Sequence, residues 1–465
     1  MAKKIWQVRP RLQLTEKEVR VGARGTVESF VRLGDVIEDS QPPAPSVKLS
    51  LDNEQVVAVC GKRGSGKSFT LGVISEGLCS DSEHVAIGKS HGERAAIMFD
   101  PLDIYWTTSI PVRDVSHSVA SENYQLARRY GVTDGSFNVA AFVPGANSRR
   151  SSDPDAFQTL TLSVGELSEN DWEILLDVNL RSDTIGQALV DVLDASRNGY
   201  SRNSTPVSGS ANPSIGDLVQ ALDSDDLSGI YHSETLRALR QRLRSVDRLG
   251  LFATEGTFLS DLLKPGRLTV ILLNRLDDSL RDIVIALITR RIYDLRSVAA
   301  FEKKRLLFDP EAGGDENLQS QSGHWLPRCT ILIDEAHLFL GPGGAKPGKQ
   351  ALTKIAKEGR NMGLSLVMAT QQPAAIDKQV LSQVETFISH QLVTSADVDS
   401  LTANLKCDTF ESATFSQQTL DFKSLVRNLR KGECVVSGSD TSLSINRTFL
   451  TRIRPRSAMH GGIEV

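Results

Sequence analysis

The chain has 465 residues, 40% of them hydrophobic and 24% charged, which fits a soluble globular protein with more than one domain or with a large insertion. Its formal net charge of −4 argues against a surface coated with basic residues for nucleic acid, although it leaves room for a local basic channel. Five widely spaced cysteines without a CxxC pair, and no apolar run of the roughly 18–20 residues of a membrane helix, predict a cytoplasmic protein with reduced thiols and no membrane segment.

The first fifty residues are predicted to form a β-rich module or arm that is separate from the rest of the chain. Short apolar runs divided by Arg, Glu and Gly predict strands at Ile5–Val8, Leu12–Leu14, Val19–Val21 and Thr26–Val31. A stiff, proline-rich link at residues 41–46 then predicts a boundary near residue 50.

A phosphate-binding loop comes next. The β-branched run Val56–Cys60 predicts a buried strand, and Lys67–Ile74 predicts a helix. The GKRGSGKS between them matches the pattern GxxxxGK[ST], in the strand–loop–helix setting that this motif requires. The predicted nucleotide-binding residues are Gly61, Lys62, Arg63, Gly64, Ser65, Gly66, Lys67, Ser68 and Phe69.

The chemistry of a nucleotide explains these residue types. Gly64 and Gly66 permit backbone conformations in which successive N–H groups point at phosphate, and the helix dipole adds to this cradle. Lys67 is expected to reach the β- and γ-phosphates as a catalytic residue, and the Ser68 hydroxyl to bind Mg²⁺. A chance glycine-rich turn is the alternative, and the flanking strand and helix argue against it.

Strands and helices alternate after residue 51, which predicts an α/β fold with a mainly parallel, doubly wound sheet. Its predicted strands are Ala95–Phe99, Val139–Val143, Leu268–Leu273, Cys329–Ile333, Leu364–Ala369 and Phe387–Val393. Residues 150–262 predict a mostly helical insertion between two parts of the core, 51–149 and 263–423. Its helices are Leu167–Val178, capped by Ser168 and Asp171, then Thr184–Ser196, Ile215–Leu222 and Ser233–Leu249, with a polar loop at Asn198–Pro213. A long helix at Ser279–Ser297, an acidic loop at Glu311–Ser322 and a basic C-terminal segment, 424–465, are also predicted.

A pair of carboxylates comes after one predicted strand. Asp334 and Glu335 stand directly after Cys329–Ile333, at the edge where α/β sheets place their chemistry. Downstream of a phosphate loop, Asp334 is expected to hold Mg²⁺ together with Ser68, and Glu335 to orient the attacking water as general base. Without the phosphate loop, a carboxylate pair after a strand would be explained equally well by a surface turn.

Polar residues around the next strand are weaker candidates. Gln371 comes after Leu364–Ala369 at a position that can touch the γ-phosphate as a sensor. Arg360 ends the preceding helix, and it is either catalytic or a solvated cation that stabilises the last carbonyls of the helix. His337 either contacts phosphate or a partner, or simply packs.

Several motifs together resemble a HerA-like ATPase of the FtsK–HerA superfamily, from about Val56 to Gly462. They are FDPLDIY, ILIDEAH, EGRNMGLSLVMATQQP and the closing RIRPRSAMHGG. The resemblance implies a RecA-like P-loop NTPase that forms a homo-hexameric ring, hydrolyses ATP between subunits with Mg²⁺, and moves double-stranded DNA through a central channel. It also implies that Glu335 is the catalytic glutamate and Gln371 the sensor. Arg360 would act on the ATP of the neighbouring subunit, which is typically worth about 10³–10⁵ in rate.

The resemblance leaves some features open. It implies that Arg454–Gly462 braces the adjacent nucleotide site, whereas the first fifty residues are too short for the complete β-barrel of the archaeal members. Gln372 stands where the family often has an arginine, which Arg275 or Arg63 would have to replace. The basic loop Gly341–Lys349 is either a contact for DNA phosphates or an ordinary surface loop.

The sequence therefore predicts an ATP-driven DNA translocase or helicase. Relatives of this kind work with a separate nuclease or an NAD-consuming effector, which suggests antiphage defence or DNA end processing as the setting. The alternative is an ATP-bound ring that acts as a scaffold and activates a partner without moving DNA.

Overall fold

The protein is built on one large sheet with helices packed against both of its faces. The computed structural model describes the chain except for residues 1–5, 13–16, 23–26, 39–43, 81–86, 90–93, 134, 136, 249, 310–326, 345, 416–417, 439–442, 444–445 and 463–465. The predicted acidic loop Glu311–Ser322 lies outside the described residues.

The strands are numbered in chain order. They are β1 (Gln7–Arg9), β2 (Glu18–Val21), β3 (Phe30–Val36), β4 (Ser46–Ser50), β5 (Val56–Cys60), β6 (Gly88–Lys89), β7 (Arg94–Asp100), β8 (Val139–Pro144), β9 (Gln158–Leu160), β10 (Leu162–Ser163), β11 (Tyr200–Arg202), β12 (Thr205–Val207), β13 (Phe252–Ala253), β14 (Leu268–Leu272), β15 (Arg328–Ile333), β16 (Leu364–Thr370), β17 (Thr386–Ser389), β18 (Ser412–Phe415), β19 (Gln418–Leu420), β20 (Glu433–Gly438) and β21 (Phe449–Ile453).

The helices are numbered in the same way. They are α1 (Lys67–Leu78), α2 (Ser118–Tyr130), α3 (Glu169–Leu176), α4 (Thr184–Asn198), α5 (Ile215–Ala221), α6 (Asp225–Ile230), α7 (Ser233–Asp247), α8 (Leu259–Leu262), α9 (Asp278–Phe308), α10 (Pro347–Met362), α11 (Lys378–Leu381), α12 (Ser395–Asn404) and α13 (Phe422–Asn428). Among the described residues, none of these helices is both long and apolar enough to cross a lipid bilayer.

The main sheet has 14 strands, and β5 lies near its middle. Thirteen strands take the order β2-β4-β3-β21-β20-β17-β5-β16-β15-β7-β14-β8-β9, and β6 pairs beside β3. All neighbours from β17 to β9 are parallel, as predicted, whereas β20, β21 and β3 run antiparallel to their neighbours. Val57 and Val59 belong to one core cluster, and Val56, Ala58 and Cys60 belong to the other. The sheet is therefore buried on both faces, which explains its near-continuous apolar strands.

Three strands of the N-terminal fifty residues extend the main sheet instead of forming a separate module. β3 pairs with β21, so that Asp35 lies opposite Arg452, and β4 and β2 continue outward from β3. The short β1 pairs elsewhere, with β18. The sequence pattern did not indicate this arrangement because β21, the strand that offers its edge, lies near the other end of the chain.

Helices α3 to α8 lie within residues 150–262, the range for which a mostly helical insertion is predicted. The predicted cap is confirmed: the Ser168 side chain accepts from the Asp171 backbone, and the Asp171 carboxylate accepts from the Ser168 backbone. The predicted polar loop contains a small hairpin, β11–β12. Its turn residues Asn203 and Ser204 have φ of 51° and 61°, and their backbone N–H groups donate to the Asp225 carboxylate.

Candidate nucleotide-binding site

The phosphate-binding loop follows β5 at the carboxyl edge of the central strands. The chain turns at Gly64 (φ 77°) and Gly66 (φ 116°) before α1 begins at Lys67, and these left-handed conformations favour glycine. A Cβ atom at Gly66 would lie 3.4 Å from the ring of His390, so this ring packs closely against the loop. The loop and helix therefore have the form that a phosphate cradle requires.

The Lys67 ammonium lies between the two predicted carboxylates. Its Nζ donates to Asp334 Oδ1 at 2.6 Å and to Glu335 Oε1 at 3.0 Å, and its side chain is only 4% exposed. Burial alone would raise the pKa of Asp334, but Lys67 and the surrounding hydrogen-bond donors outweigh it and hold this pKa below its usual value. Asp334 is thus kept ionised in a buried position.

Ser68, at the start of α1, and Asp334, after β15, bring two side-chain oxygens together. The Ser68 hydroxyl donates to Asp334 Oδ2 at 2.9 Å. Mg²⁺ is commonly held by one or two protein oxygens together with phosphate and water, and these two oxygens fit that donor set. Elsewhere in the described residues, no group of three or more His, Cys, Asp or Glu side chains could hold a metal ion.

Glu335 presents one carboxylate oxygen without a hydrogen bond. The residue has φ 49°, a strained conformation for a side chain of this kind, and it turns the chain immediately after β15. Gln371 Nε2 donates to its Oε1 at 2.6 Å, whereas Oε2 is buried without a hydrogen-bond partner among the described residues. His337 Nδ1 lies 3.5 Å from Oε2, and burial lowers the pKa of this histidine. Oε2 is therefore available to accept a proton or to align a water molecule.

Arg360 does not meet these residues within its own chain. It lies in the last turn of α10, with its side chain 46% exposed, and its Nη1 is 3.6 Å from Glu385 Oε1. The next strand, β16, runs from this end to the carboxyl edge, and its seven residues span roughly 20 Å. Arg360 thus lies near the amino ends of the parallel strands, whereas Lys67 lies near their carboxyl ends.

The other predicted loop residues divide into two groups. Gly61 and Ser65 are buried in the loop: the Gly61 N–H donates to the Thr370 carbonyl at 3.2 Å, and the Ser65 hydroxyl to the Lys62 carbonyl at 2.8 Å. The side chains of Lys62 and Arg63 are exposed. Backbone groups therefore shape the loop, and its basic side chains point outward.

Two basic residues that the sequence offered as functional contacts are held by carboxylates. Arg275 forms a double hydrogen bond with Asp153, at 2.5 and 2.7 Å, and its Nε also reaches Asp103 at 3.4 Å. Lys349 lies within α10 instead of a loop, and it pairs with Asp377 at 2.7 Å. Neither side chain is free to reach a nucleotide or DNA phosphate without breaking these contacts.

The C-terminal motif RIRPRSAMHGG docks on the helix that follows the phosphate loop of its own chain. Arg454 and Arg456 each lie 2.8 Å from a carboxylate oxygen of Glu76, and all three side chains are 0% exposed. The ring of His460 meets the edge of the Phe69 ring, 5.7 Å between centroids. The resemblance implies that this segment braces the adjacent nucleotide site. In this structure both arginines are buried against α1 of their own chain.

Tyr105 belongs to the site, and the sequence pattern did not identify it. Its hydroxyl donates to Asp334 Oδ2 at 2.6 Å. Asp100 supports it, because this buried carboxylate accepts from the backbone N–H groups of Ile104 and Tyr105, both at 2.7 Å. Burial raises the pKa of Asp100 to about 7 despite these hydrogen bonds. The position of FDPLDIY directly after a predicted strand was the one signal in the sequence that pointed to this part of the site.

His390 is a second residue that the sequence pattern did not reveal. It comes directly after β17 and is fully buried, with Nε2 2.7 Å from Thr70 Oγ1 and Nδ1 2.9 Å from the Glu433 carbonyl. Since a carbonyl can only accept, we assign the proton to Nδ1, and Nε2 then accepts from Thr70. Burial lowers the pKa of His390 to about 4, so the ring is neutral. The predicted strand Phe387–Val393 had placed this residue inside a strand.

Comparison with known proteins identifies two matching family definitions. "Helicase HerA, central domain" matches residues 31–292, more than half of the chain, and "Helicase HerA-like C-terminal" matches residues 316–461.

Relatives of known name include "DNA double-strand break repair helicase HerA" of Pyrococcus furiosus. It is 24% identical over 417 residues, which cover 86% of this chain and 66% of the relative. The protein of the same name from Saccharolobus solfataricus is 29% identical over 134 residues, 29% of this chain and 23% of the relative. The chain thus spans somewhat less than two thirds of the first relative and about a quarter of the second.

Two solved structures are also similar. VirB4 of Thermoanaerobacter pseudethanolicus is 14% identical with a TM-score of 0.47, over 93% of this chain and 97% of that one. The plasmid coupling protein TrwB in complex with ADP and Mg²⁺ is 11% identical with a TM-score of 0.49, over 94% and 97%. At these values the likenesses carry no conclusion about function.

Proposed function

The chain belongs to the HerA helicase family, and from this premise we propose that it hydrolyses ATP to move double-stranded DNA. The observation that carries the proposal is the buried Oε2 of Glu335, without a hydrogen-bond partner among the described residues, beside a complete phosphate-binding loop. A carboxylate with one oxygen fixed and one available is suited to align and deprotonate a water molecule.

The side chains of the site would exchange partners when ATP binds. Lys67, which now holds Asp334 and Glu335, would turn to the β- and γ-phosphates. Ser68 and Asp334 would hold Mg²⁺, which supplies positive charge to the phosphate oxygens. Gln371 would keep Glu335 aligned through their 2.6 Å hydrogen bond while Oε2 takes the proton of the attacking water.

We further propose that the active unit is a homo-hexameric ring in which Arg360 completes the site of the neighbouring subunit. Its position supports this role, because it is half-exposed and lies near the amino ends of the parallel strands, away from Lys67 of its own chain. A guanidinium that stabilises the transferred phosphoryl group from a neighbour makes hydrolysis depend on assembly.

Mixing two inactive variants tests the shared site. Glu335→Gln removes the base and should lower the ATPase rate by about 10²–10⁴. Arg360→Ala removes the arginine and should lower it by about 10³–10⁵. Rings assembled from both contain interfaces with an intact Glu335 and an intact Arg360, and they should regain part of the rate. A mixture of Glu335→Gln with Lys67→Ala is the matched control, because both changes fall on the same subunit's half of the site. Full activity of the Arg360→Ala variant, or no recovery on mixing, would contradict a trans arginine.

The cellular setting that we propose is a complex with a separate nuclease or NAD-consuming effector, in antiphage defence or DNA end processing. The name of the Pyrococcus furiosus relative, which includes double-strand break repair, supports the second of these. Purification of the native complex would identify the partner. If double-stranded DNA fails to stimulate the ATPase at low salt while the partner is still activated, a scaffold replaces the translocase.

A further inference from the structure

Helix α7 in the helical insertion carries two kinds of arginine. Two of them form contacts within the insertion: Arg240 pairs with Asp223 at 2.5 Å, and Arg242 donates to the carbonyls of Leu176 and Asp177 at 2.7 and 2.8 Å. These contacts join α7 to the rest of the insertion, so both arginines have a structural role.

Three further arginines occupy the outward face of the same helix. Arg237, Arg244 and Arg248, which caps the helix, are spaced by seven and then four residues, and this spacing places them in one row. All three are exposed, and within the described residues none of their side chains has a hydrogen bond or ion pair. The opposite face is the buried one, formed by Leu236, Leu239, Leu243 and Val246.

A second pair of arginines lies beside the end of this row. Arg149 and Arg150 come after β8 and are exposed. Among the described residues, Arg149 donates a side-chain hydrogen bond to the Pro154 carbonyl at 3.3 Å. Asn147 Nδ2 donates to the Arg248 carbonyl at 2.8 Å, which fixes this loop against the end of α7. This contact brings the two groups next to each other, and we call them together the arginine surface: Arg149, Arg150, Arg237, Arg244 and Arg248.

The arginine surface carries an excess of positive charge in a protein whose net charge is −4. Three exposed carboxylates, Asp155, Glu234 and Asp247, lie in the same segments, so five guanidinium groups face three acids. The nearby Asp153 already forms an ion pair with Arg275, so its negative charge is largely compensated there. Arginines that are exposed and form no ion pair with the described residues suit an anionic ligand from outside the chain.

The ATP of the same chain is not that ligand. β8 lies five positions away from β5 in the sheet, which corresponds to roughly 24 Å. Both strands end at the same edge of the sheet, however, so the surface faces the side on which the nucleotide binds. A row about 16 Å long on α7 can contact several phosphates in succession, which a single nucleotide does not offer.

We propose that the arginine surface binds the phosphate backbone of double-stranded DNA, without reading its sequence. The inference rests on the proposed function, since it names the residues through which the translocase binds DNA. Guanidinium groups bind phosphate oxygens with charge-assisted hydrogen bonds, and each neutralised phosphate releases counterions. The insertion then contributes the grip on DNA, and the central sheet contributes the ATPase.

The test measures the salt dependence of DNA binding. The full-length protein is titrated into a labelled double-stranded DNA of arbitrary sequence, with a non-hydrolysable ATP analogue and Mg²⁺, over a series of salt concentrations. The slope of log K against log [salt] is negative, and the double variant Arg244→Gln/Arg248→Gln should make it less negative by about 2, roughly one for each lost contact. A second DNA of unrelated sequence should give the same change.

The control variant is Arg129→Gln, because Arg129 is also an exposed arginine in the last turn of a helix, but outside the arginine surface. It should leave the slope unchanged. Thermal unfolding and native mass of every variant exclude a defect in folding or assembly. An unchanged slope for the double variant overturns the assignment while the proposed function stands. Absence of DNA binding by the unmodified protein overturns the translocase itself, and the assignment with it.

Discussion

Replacement of Glu76 by glutamine should release the C-terminal segment from α1. Glu76 Oε1 accepts from Arg456 Nε at 2.8 Å and from the Ala458 N–H at 3.1 Å, and Oε2 accepts from Arg454 Nη1 at 2.8 Å and from the Ser457 N–H at 3.1 Å. A glutamine keeps the volume but turns one of these oxygens into an NH₂ group that faces two donors. Both buried guanidinium groups then lose their counter-charge, and one of them also loses its hydrogen-bond acceptor.

The size of the effect can be derived from these contacts. A hydrogen bond to a charged group contributes about 1.5–3 kcal/mol and an ordinary one about 0.5–1.5 kcal/mol, and breaking a buried ion pair from one side typically costs about 3–5 kcal/mol. Because Glu76, Arg454 and Arg456 are all fully buried, we expect Glu76→Gln to lower the free energy of unfolding by about 4 kcal/mol.

Urea unfolding measures this loss, and hydrogen exchange of the backbone amides at residues 456–458 reports whether the segment detaches. Glu302→Gln is a control, since the Glu302–Arg305 pair is partly exposed on α9 and should be worth less than about 1 kcal/mol. A loss of about 1 kcal/mol or less for Glu76→Gln, or unchanged exchange in the segment, would refute the reasoning.

Two further predictions concern residues close to the phosphate loop. Tyr105→Phe removes the hydroxyl that orients Asp334 and should raise the Mg²⁺ concentration for half-maximal ATPase about 10-fold or more, whereas Tyr130→Phe, away from the site, should not. His390 has a folded pKa of about 4, below the unfolded 6.5, so the unfolded chain binds the proton first and stability falls as pH drops from 6.5 towards 4, by up to about 1.4 kcal/mol per unit. Urea unfolding at several pH values should show a shallower decline for His390→Gln, and parallel curves would contradict this.

The features that sequence could predict are those encoded within a few neighbouring residues. The phosphate loop depends on Gly64, Gly66 and Lys67 in one short run, and the pair Asp334–Glu335 comes after a strand that is recognisable from its apolar run. Their meeting in space is the result of a general rule, that parallel strands bring their carboxyl ends to one edge. The hydrogen bonds among Lys67, Ser68 and the two carboxylates agree with that rule.

Other features depend on contacts between distant parts of the chain. The N-terminal strands appeared to be separate because their pairing partner, β21, carries no signal of which edge it will offer. Tyr105 follows β7 and His390 follows β17, and each contacts residues that come after the neighbouring strand in the sheet. The order of strands in a sheet cannot be derived from the periodicity of a single chain. For the same reason the sequence could not show that Arg275 forms an ion pair with Asp153.

The pairing of β3 with β21 sets an order of events during synthesis. Arg447 donates to Glu38 across 409 positions, close to where the two strands join. At ribosomal rates of about 5–20 residues per second, β3 is synthesised roughly 20–80 s before its partner β21. During that time β2, β3 and β4 present an unpaired edge, the kind of surface that aggregates or recruits chaperones. Strands β2 to β4 therefore leave the ribosome long before β21 completes their place in the sheet.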